Sequence, residues 1–297
     1  MIRASSSTQR TRPRLRGATY GRLTQGSIFC CAVAGRYPNS NVYGVVITAR
    51  CDLAQDKYPV LNYLPVIPLR DWLRQDGLDI LVENELASIN GQVRGELKQA
   101  NLSERLLDAV TIAEIAEKNF SLGTGDKASN KTAERFRAIV KRVAEFEALI
   151  KIGDSDATFL WFVKNKPSEV DAIITRLSKN SVSGYYFLEC IDLDDTDPQG
   201  YVCLLREVYS IPKAVSDKIA GGLTEEALKL VPGCANVSLN FRHEHLSMPV
   251  VEIDSPTIEH LLQSFTQLFG RIGVADPETD VISRIQGLVK LVEGATK

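Results

Sequence analysis

Arg50, Cys51 and Asp52, which follow the apolar run GVVITA, are the first candidates for chemistry in this chain. Functional side chains often lie where a strand ends, and a thiol beside a cation is readily activated as a nucleophile. Nucleophilic catalysis also requires a base, yet all three histidines lie much later, between 243 and 260. The alternative is structural, with Cys51 in the core and Asp52 capping the turn through its side chain.

Metal binding by His243 and His245, which fall in the segment NVSLNFRHEHL, is a second candidate. If this segment is a strand, both imidazoles point to the same face, a spacing that metal sites use. A closed site needs further ligands, and His260 is the remaining histidine. The same alternation is typical of a solvent-facing edge strand. We therefore predict no cofactor and keep His243 and His245 as metal candidates.

Acidic residues form a third pattern. Glu96 and Lys98, with Asp76 or Asp79 upstream, imitate the acid–acid–lysine set of metal-dependent nucleases, which a charged chain also produces by chance. The segment LGTGDKAS lacks the G-K-[ST] order of a phosphate loop, and the chain has no G-x-G-x-x-G, G-x-S-x-G or H-E-x-x-H. These absences exclude the common enzyme classes with local motifs and leave catalysis undecided.

Basic residues are concentrated at the start of the chain. Residues 1–51 carry eight arginines and neither lysine nor acid, which gives +8; because the whole chain carries −2, residues 52–297 carry −10. A basic arm on an acidic body is typical of proteins that meet a polyanion or an acidic protein surface. A solvated tail without a partner is the alternative. The nucleic-acid-binding candidates are Arg10, Arg12, Arg14, Arg16 and Arg22.

Size and composition predict a cytoplasmic globular protein of about two domains, with 297 residues, 44% of them hydrophobic. No apolar run reaches the roughly 20 residues of a membrane-spanning helix. The start MIRASSSTQRTRPRLRG lacks the apolar stretch of a secretory signal, although arginine- and serine-rich starts also occur in organelle transit peptides. The cysteines contain no C-x-x-C pair and are expected to be buried and reduced: Cys30, Cys31, Cys51, Cys190, Cys203 and Cys234.

The elements that must position these residues change along the chain. We predict a disordered basic arm over residues 1–18 and a β-barrel-like unit over 19–98. The β-branched runs of this unit, separated by turn-forming residues, are GSIFCCAVA, NVYGVVITAR and PVLNYLPVIPL. A further hairpin is predicted for DILVENELASINGQVRGEL, with Asn90 and Gly91 as its type I′ turn.

Residues 99–153 switch to helical periodicity and are predicted to form an antiparallel helical pair. The first helix is SERLLDAVTIAEIAEKNF, with Ser103 as its N-cap, and the second is NKTAERFRAIVKRVAEFEALIKIG.

Residues 154–297 alternate between strands and helices, which predicts an α+β region. The predicted strands are ATFLWFV, the hairpin of GYYFLECIDL and GYVCLLREVYSI, then NVSLNFRHEHL and PVVEI. One helix is capped by Ser168 and Asp171, another opens with Ser255 and Pro256, and a last one covers ETDVISRIQGLVKLVEG.

Residues 26–69 resemble the first strands of the MazF/PemK-like toxins. The stretches GSIFCCAV, GVVITARCDLA and YLPVIPL follow the family's order of G-D-I-V, a loop, R-P-x-V-V-L-S and a strand ending in P-I-T. They also resemble uncharacterised bacterial proteins associated with phage defence, which carry C-D-[IL] after the strand. The resemblance to the toxins implies a small SH3-like barrel and cleavage of single-stranded RNA.

The chain departs from the toxin pattern at two positions of the motif. The family's arginine before the second strand falls at Val42 or Tyr43, and its threonine in P-I-T falls at Leu69. Arg36, in the loop before the second strand, is the nearest substitute for that arginine. The resemblance therefore supports a barrel more than a ribonuclease.

Together these patterns predict an α+β fold with a small N-terminal SH3-like β-barrel, a central helical pair and a C-terminal α+β region over 154–297. The first function predicted is a bacterial interaction or adaptor subunit of a phage-defence or toxin–antitoxin system, which contacts nucleic acid or an acidic protein partner through its basic N-terminus. The alternative is a MazF/PemK-like endoribonuclease or another nuclease. Its catalytic candidates are Arg36, Arg50, Cys51 and Asp52.

Overall fold

A computed structural model of the chain describes residues 15–121, 123, 127–193, 199–233 and 237–270. These residues form a mixed fold in which helices cover a curled antiparallel sheet shaped as a half-barrel. The predicted class, α+β, is confirmed, while the SH3-like character of the N-terminal part stays a prediction. No helix in these ranges is both long and apolar enough to cross a membrane.

Within the described residues, eight strands form the large sheet, in the order β1-β10-β2-β3-β4-β6-β5, with β7 also paired to β4. A second, two-stranded sheet pairs β8 with β9. The strands are β1 Leu15–Gly17, β2 Ser27–Phe29, β3 Tyr43–Val46, β4 Val60–Pro68, β5 Tyr185–Leu188, β6 Tyr201–Leu204, β7 Tyr209–Pro212, β8 Leu223–Thr224, β9 Leu246–Ser247 and β10 Pro249–Ile253.

The helices lie on both faces of the large sheet. They are α1 Arg50–Ala54, α2 Leu69–Arg74, α3 Asp76–Gln99, α4 Leu106–Ala109, α5 Ile112–Asn119, α6 Lys127–Ile152, α7 Ser155–Asn165, α8 Pro167–Ser178, α9 Lys213–Gly221, α10 Glu225–Lys229 and α11 Thr257–Phe269.

The three β-branched runs near the N-terminus form β2, β3 and β4, which are consecutive antiparallel neighbours as predicted. Val46 and Ile67 lie in the core on one face of the sheet, whereas Val45 and Val66 lie in a second core on the other face. Burial of both faces explains why these runs are almost continuously apolar instead of alternating.

The sheet takes strands from both ends of the chain. β10 lies between β1 and β2, and β6 lies next to β4. The predicted units 19–98 and 154–297 therefore share one sheet. Residues Leu15–Gly17, predicted as part of the disordered arm, form β1 because their backbone pairs with β10.

The predicted hairpin with its turn at Asn90 and Gly91 is wrong, because this segment is the long helix α3. Its buried residues recur every three or four positions, the helical spacing, and include Leu81, Ile89 and Val93. Asn90 and Gly91 lie on the exposed face of the helix.

The predicted strand ATFLWFV is also wrong, because it belongs to α7. Asp154 caps this helix: its side chain accepts a hydrogen bond from the Ala157 backbone nitrogen at 3.0 Å. The buried residues Thr158 and Phe162 are four positions apart, on one helical face. A short apolar run does not by itself distinguish a strand from a helix.

Residues 103–120 form α4 and α5 instead of the one predicted helix. Thr111 and Glu114 form a capping box in which the Glu114 nitrogen donates to Thr111 Oγ1 at 3.2 Å and the Thr111 nitrogen donates to Glu114 Oε2 at 2.9 Å. A capping residue has a non-helical backbone, which separates the two helices. Ser103 does not cap either; its Oγ accepts from the Arg105 nitrogen.

The second predicted helix of this region is confirmed as α6. It packs against α5, where the rings of Phe120 and Phe136 stack with centroids 4.0 Å apart. It also packs against α3, where Arg142 contacts the buried carboxylate of Glu85 at 2.5 Å. The helical pair of the prediction is therefore a layer of at least three helices.

Most predicted elements of the C-terminal half are confirmed. The hairpin of β5 and β6 and the strand β10 are present, as are α8 and α11. The predicted caps are wrong: α8 starts at Pro167 without a side-chain cap from Ser168, and Ser255 Oγ donates to Glu259 instead of capping α11. The predicted last helix lies outside the described residues.

A substitution of Gly91 distinguishes the observed helix from the predicted hairpin experimentally. Gly91→Ala should stabilise the protein by about 0.5–1 kcal/mol, because alanine favours an exposed helix interior and a Cβ there meets no atom within 4 Å. Gly44→Ala is the control and should destabilise it, because its Cβ would lie 2.6 Å from the Phe29 ring. Urea unfolding measures both, and a destabilised Gly91→Ala variant would contradict the helix.

Candidate functional site

Arg36 is held by two carboxylates at the start of α3. Its guanidinium contacts Asp76, whose side chain is 7% exposed, and Asp79 Oδ2 at 2.7 Å. The pKa of Tyr37 is raised, mainly by burial and in addition by the nearby Asp76 carboxylate. Burial also raises the pKa of Tyr185. A buried carboxylate requires a paired cation, and Arg36 supplies that cation to Asp76. The role of Arg36 here is therefore structural.

Arg50, Cys51 and Asp52 lie on the short helix α1, and all three are exposed. Arg50 Nη2 lies 3.4 Å from Glu259 Oε1, and the Cys51 thiol lies 3.5 Å from Asp52 Oδ1. Both structural alternatives are wrong: Cys51 is not in the core, and within the described residues no side chain caps α1.

The structure does not bring Arg36 together with the other predicted catalytic residues. Arg36 pairs with α3, which packs in the core on one face of the sheet, whereas Arg50 pairs with α11, which packs in the core on the other face. The nuclease-like acids are also separated. Asp76 and Glu96 lie 20 residues apart on α3, which corresponds to about 30 Å along a helix.

His243 and His245 do not lie on a strand, because the segment 237–245 has no regular secondary structure. His243 Nε2 lies 2.9 Å from the backbone oxygen of Asn39, and His260 Nδ1 lies 2.9 Å from the hydroxyl of Tyr186 on β5. Throughout the described ranges, no group of three or more histidine, cysteine or acidic side chains is arranged to hold a metal ion.

Arg16 and Arg22 are the nucleic-acid-binding candidates that the structure describes. Arg16, on β1, pairs with Glu252 on β10, whose side chain is 2% exposed, and Thr24 Oγ1 donates to the same carboxylate. Arg22 is exposed. Arg16 therefore anchors the start of β1 to the sheet. The remaining candidates lie outside the described residues: Arg10, Arg12 and Arg14.

A groove that the sequence did not indicate lies between three segments: the loop 33–38 after β2, the strand β7, and residues 237–242. We call it the β7 groove; its volume is about 780 Å³. Tyr63 forms part of its lining, stacks on Tyr209 with centroids 5.5 Å apart, and meets Phe29 edge-on. Burial raises the pKa of Tyr63, which therefore stays neutral at physiological pH.

The register of β7 decides which backbone groups face the groove. The Lys213 nitrogen donates to the Pro59 oxygen at 3.0 Å, in register with the pairing of β7 and β4. In an antiparallel pair, hydrogen-bonded positions alternate, so Tyr209 and Ile211 bond to β4 and Ser210 points away. Ser210 lines the groove, and among the described residues no strand pairs with this edge of β7.

The third wall is hydrogen-bonded to residues on either side of the first. The Asn240 nitrogen donates to the Cys31 oxygen at 2.8 Å, and the Arg242 nitrogen donates to Asn240 Oδ1 at 3.1 Å. The Arg242 guanidinium also contacts the side chain of Asn39. The turn-forming residues between the first two β-branched runs were recognisable in the sequence, but their contact with residues about 200 positions later was not.

Comparisons with protein-family models, curated proteins and solved structures found no significant match to this chain.

The anchor of β1 can be tested on Arg16. Arg16→Ala should lower the free energy of unfolding by about 2 kcal/mol, because the buried Glu252 carboxylate loses its charged hydrogen-bond partner. Arg22→Ala, in the same segment and exposed, is the matched control and should change it by less than about 0.5 kcal/mol. Equal unfolding curves for the two variants would show that the pair does not hold β1.

Proposed function

We propose that this protein is a bacterial interaction subunit, of a phage-defence or toxin–antitoxin system, that binds an extended segment of a partner protein in the β7 groove. The observation that carries the proposal is the outer edge of β7, which no strand of the described residues covers and toward which the register turns the backbone N–H and C=O of Ser210. An extended peptide can add to such an edge as a further strand, with main-chain hydrogen bonds supplying affinity.

The walls of the groove suit the side chains of such a peptide. Val33, Val237 and Leu239 are half-buried and leave apolar surface, while Tyr209 presents a ring whose position is set by stacking on Tyr63. Successive side chains of a strand point to opposite sides. Alternate residues of a bound peptide would therefore meet these apolar surfaces, which provides selectivity.

The basic arm supports a second contact, with nucleic acid. Four of its arginines, at positions 3, 10, 12 and 14, precede β1, and the pair of Arg16 with Glu252 holds the first described strand at the edge of the sheet. Arginine-rich segments neutralise phosphates and bind without reading much sequence. A protein that holds a partner in its groove and a nucleic acid on its arm acts as an adaptor.

The alternative function is a nuclease. The adjacent and exposed Arg50, Cys51 and Asp52 are the observation that favours it. The separate contacts of Arg36 and Arg50 favour the interaction subunit.

The β7 edge can be tested with two substitutions at one position. Ser210→Pro removes the N–H that faces the groove and should weaken peptide binding about tenfold or more, whereas the fold should persist because this N–H makes no bond to β4. Ser210→Ala is the matched control: it removes the hydroxyl, which contacts Asn62 at 2.6 Å, but keeps the N–H. Peptides selected from a random display library would be titrated against the three proteins by calorimetry.

Two results would overturn the groove proposal. One is that no peptide is enriched on the natural protein relative to a parallel selection on the Ser210→Pro variant. The other is a selected peptide that binds the Ser210→Pro variant as tightly as Ser210→Ala.

The arm should supply any affinity for nucleic acid. Removing residues 2–14, which keeps β1, should weaken binding to all sequences alike. It should also flatten the dependence of log affinity on log salt by about 0.9 per lost phosphate contact on duplex and about 0.7 on single strands. Fluorescence titrations of a labelled single strand and duplex at several salt concentrations measure both effects, and Arg70→Ala, an exposed arginine on α2, is the control.

Each other outcome of these titrations has a definite meaning. Equal binding by the truncated chain would reduce the arm to a solvated tail, and absence of binding by both proteins would favour an acidic protein partner. Cleavage of either nucleic acid, with or without magnesium, would favour the nuclease.

A further inference from the structure

Two adjacent cysteines, Cys30 and Cys31, lie directly after β2, and both are buried. Adjacent side chains in a regular strand point to opposite faces. Here Cys31 has φ of 65°, in the left-handed region that residues with a Cβ rarely adopt. This kink brings both sulfurs to the same segment: Cys30 Sγ lies 3.1 Å from the Leu246 oxygen, and Cys31 Sγ lies 3.5 Å from the Glu244 oxygen.

The two thiols differ in acidity. The adjacent Cys31 thiol lowers the pKa of Cys30, against the opposing effect of burial. The neighbouring Cys30, followed by burial, raises the pKa of Cys31. Cys30 is therefore the thiol of the pair that ionises first, the order expected of an attacking and a resolving cysteine.

We propose that Cys30 and Cys31 are a redox-active pair that hydrogen peroxide converts to a vicinal disulfide. The Cys30 thiolate attacks one peroxide oxygen, the O–O bond breaks, and the departing hydroxide takes up a proton to become water, which leaves a sulfenic acid on Cys30. The Cys31 sulfur then attacks the Cys30 sulfur, the S–O bond breaks, and the second hydroxide leaves as water with the Cys31 proton. Two thiols and one peroxide thus give one disulfide and two waters.

The oxidant must be small, because Cys30 is 5% exposed. Closing the disulfide redirects both sulfurs away from the backbone of residues 244–248. Cys30 Sγ also accepts from the Met248 nitrogen at 3.4 Å, and the Cys31 oxygen holds the Asn240 nitrogen at 2.8 Å. Oxidation therefore loosens the segment that carries one wall of the β7 groove.

A peptide map tests the pair directly. Trypsin cleaves after Arg22 and Arg36, so Cys30 and Cys31 lie together in residues 23–36 without another cysteine. After treatment of the native protein with hydrogen peroxide and alkylation under denaturing conditions, this peptide should lack both alkyl groups and two hydrogens. Its rate of formation should rise with pH, because the thiolate of Cys30 is the form that attacks the peroxide.

Variants separate the two steps. Cys31→Ser should stop at a sulfenic acid on Cys30, which dimedone traps, and Cys51→Ser, an exposed cysteine outside the pair, should form the disulfide like the natural chain. Hydrogen exchange should show faster exchange of the Met248 and Asn240 amides after oxidation.

Two results would overturn the proposal, and both come from the natural chain, so they hold even if Cys31→Ser does not fold. One is that the 23–36 peptide still carries both alkyl groups, and so was not oxidised, at peroxide concentrations that oxidise Cys51. The other is a 23–36 peptide cross-linked to the peptide of a different cysteine.

Discussion

The nine-residue strand β4 is the element on which the rest of the structure depends. It pairs with β3 along one edge, and with β7 and then β6 along the other. Almost all of its side chains are buried, on both faces of the sheet. A strand without access to water needs partners for its backbone groups on both edges. The N-terminal strands therefore require the C-terminal half of the chain, and the sheet unites both.

Buried carboxylates add a second set of long-range ties. Glu85 on α3 is 4% exposed and contacts Arg142 on α6 and Lys166 just before α8. Glu252 plays the same part between β10 and β1 through Arg16. Removing one partner of such a group leaves an uncompensated buried charge, which strongly destabilises a fold. These contacts specify which helices and strands lie side by side more than they add stability.

The features proposed as functional arise where segments distant in sequence meet. β7 covers only the first half of one edge of β4, so its own outer edge faces the groove beside residues 237–242. The Cys31 carbonyl oxygen holds Asn240 of that segment, and the two sulfurs contact the backbone oxygens of Glu244 and Leu246 just after it. The groove wall and the thiol pair are therefore connected through the backbone, and the proposed oxidation of the sulfurs would reach the surface proposed to hold a partner.

The sequence by itself determined the elements whose signals are local: β2 to β4 from β-branched runs between turns, and α6 from apolar residues at helical spacing. It misled at Asn90, where a strong turn dipeptide lies in a helix. The buried face of α3 includes Glu85, which as a charged residue is expected to be exposed. Its burial is explained only by its ion pair with Arg142, which lies far along the chain. Only the tertiary structure decided that Arg36 forms an ion pair with Asp76 and that Ser210 faces a groove. Pairing and register depend on contacts between residues far apart in the chain, which local residue types do not encode.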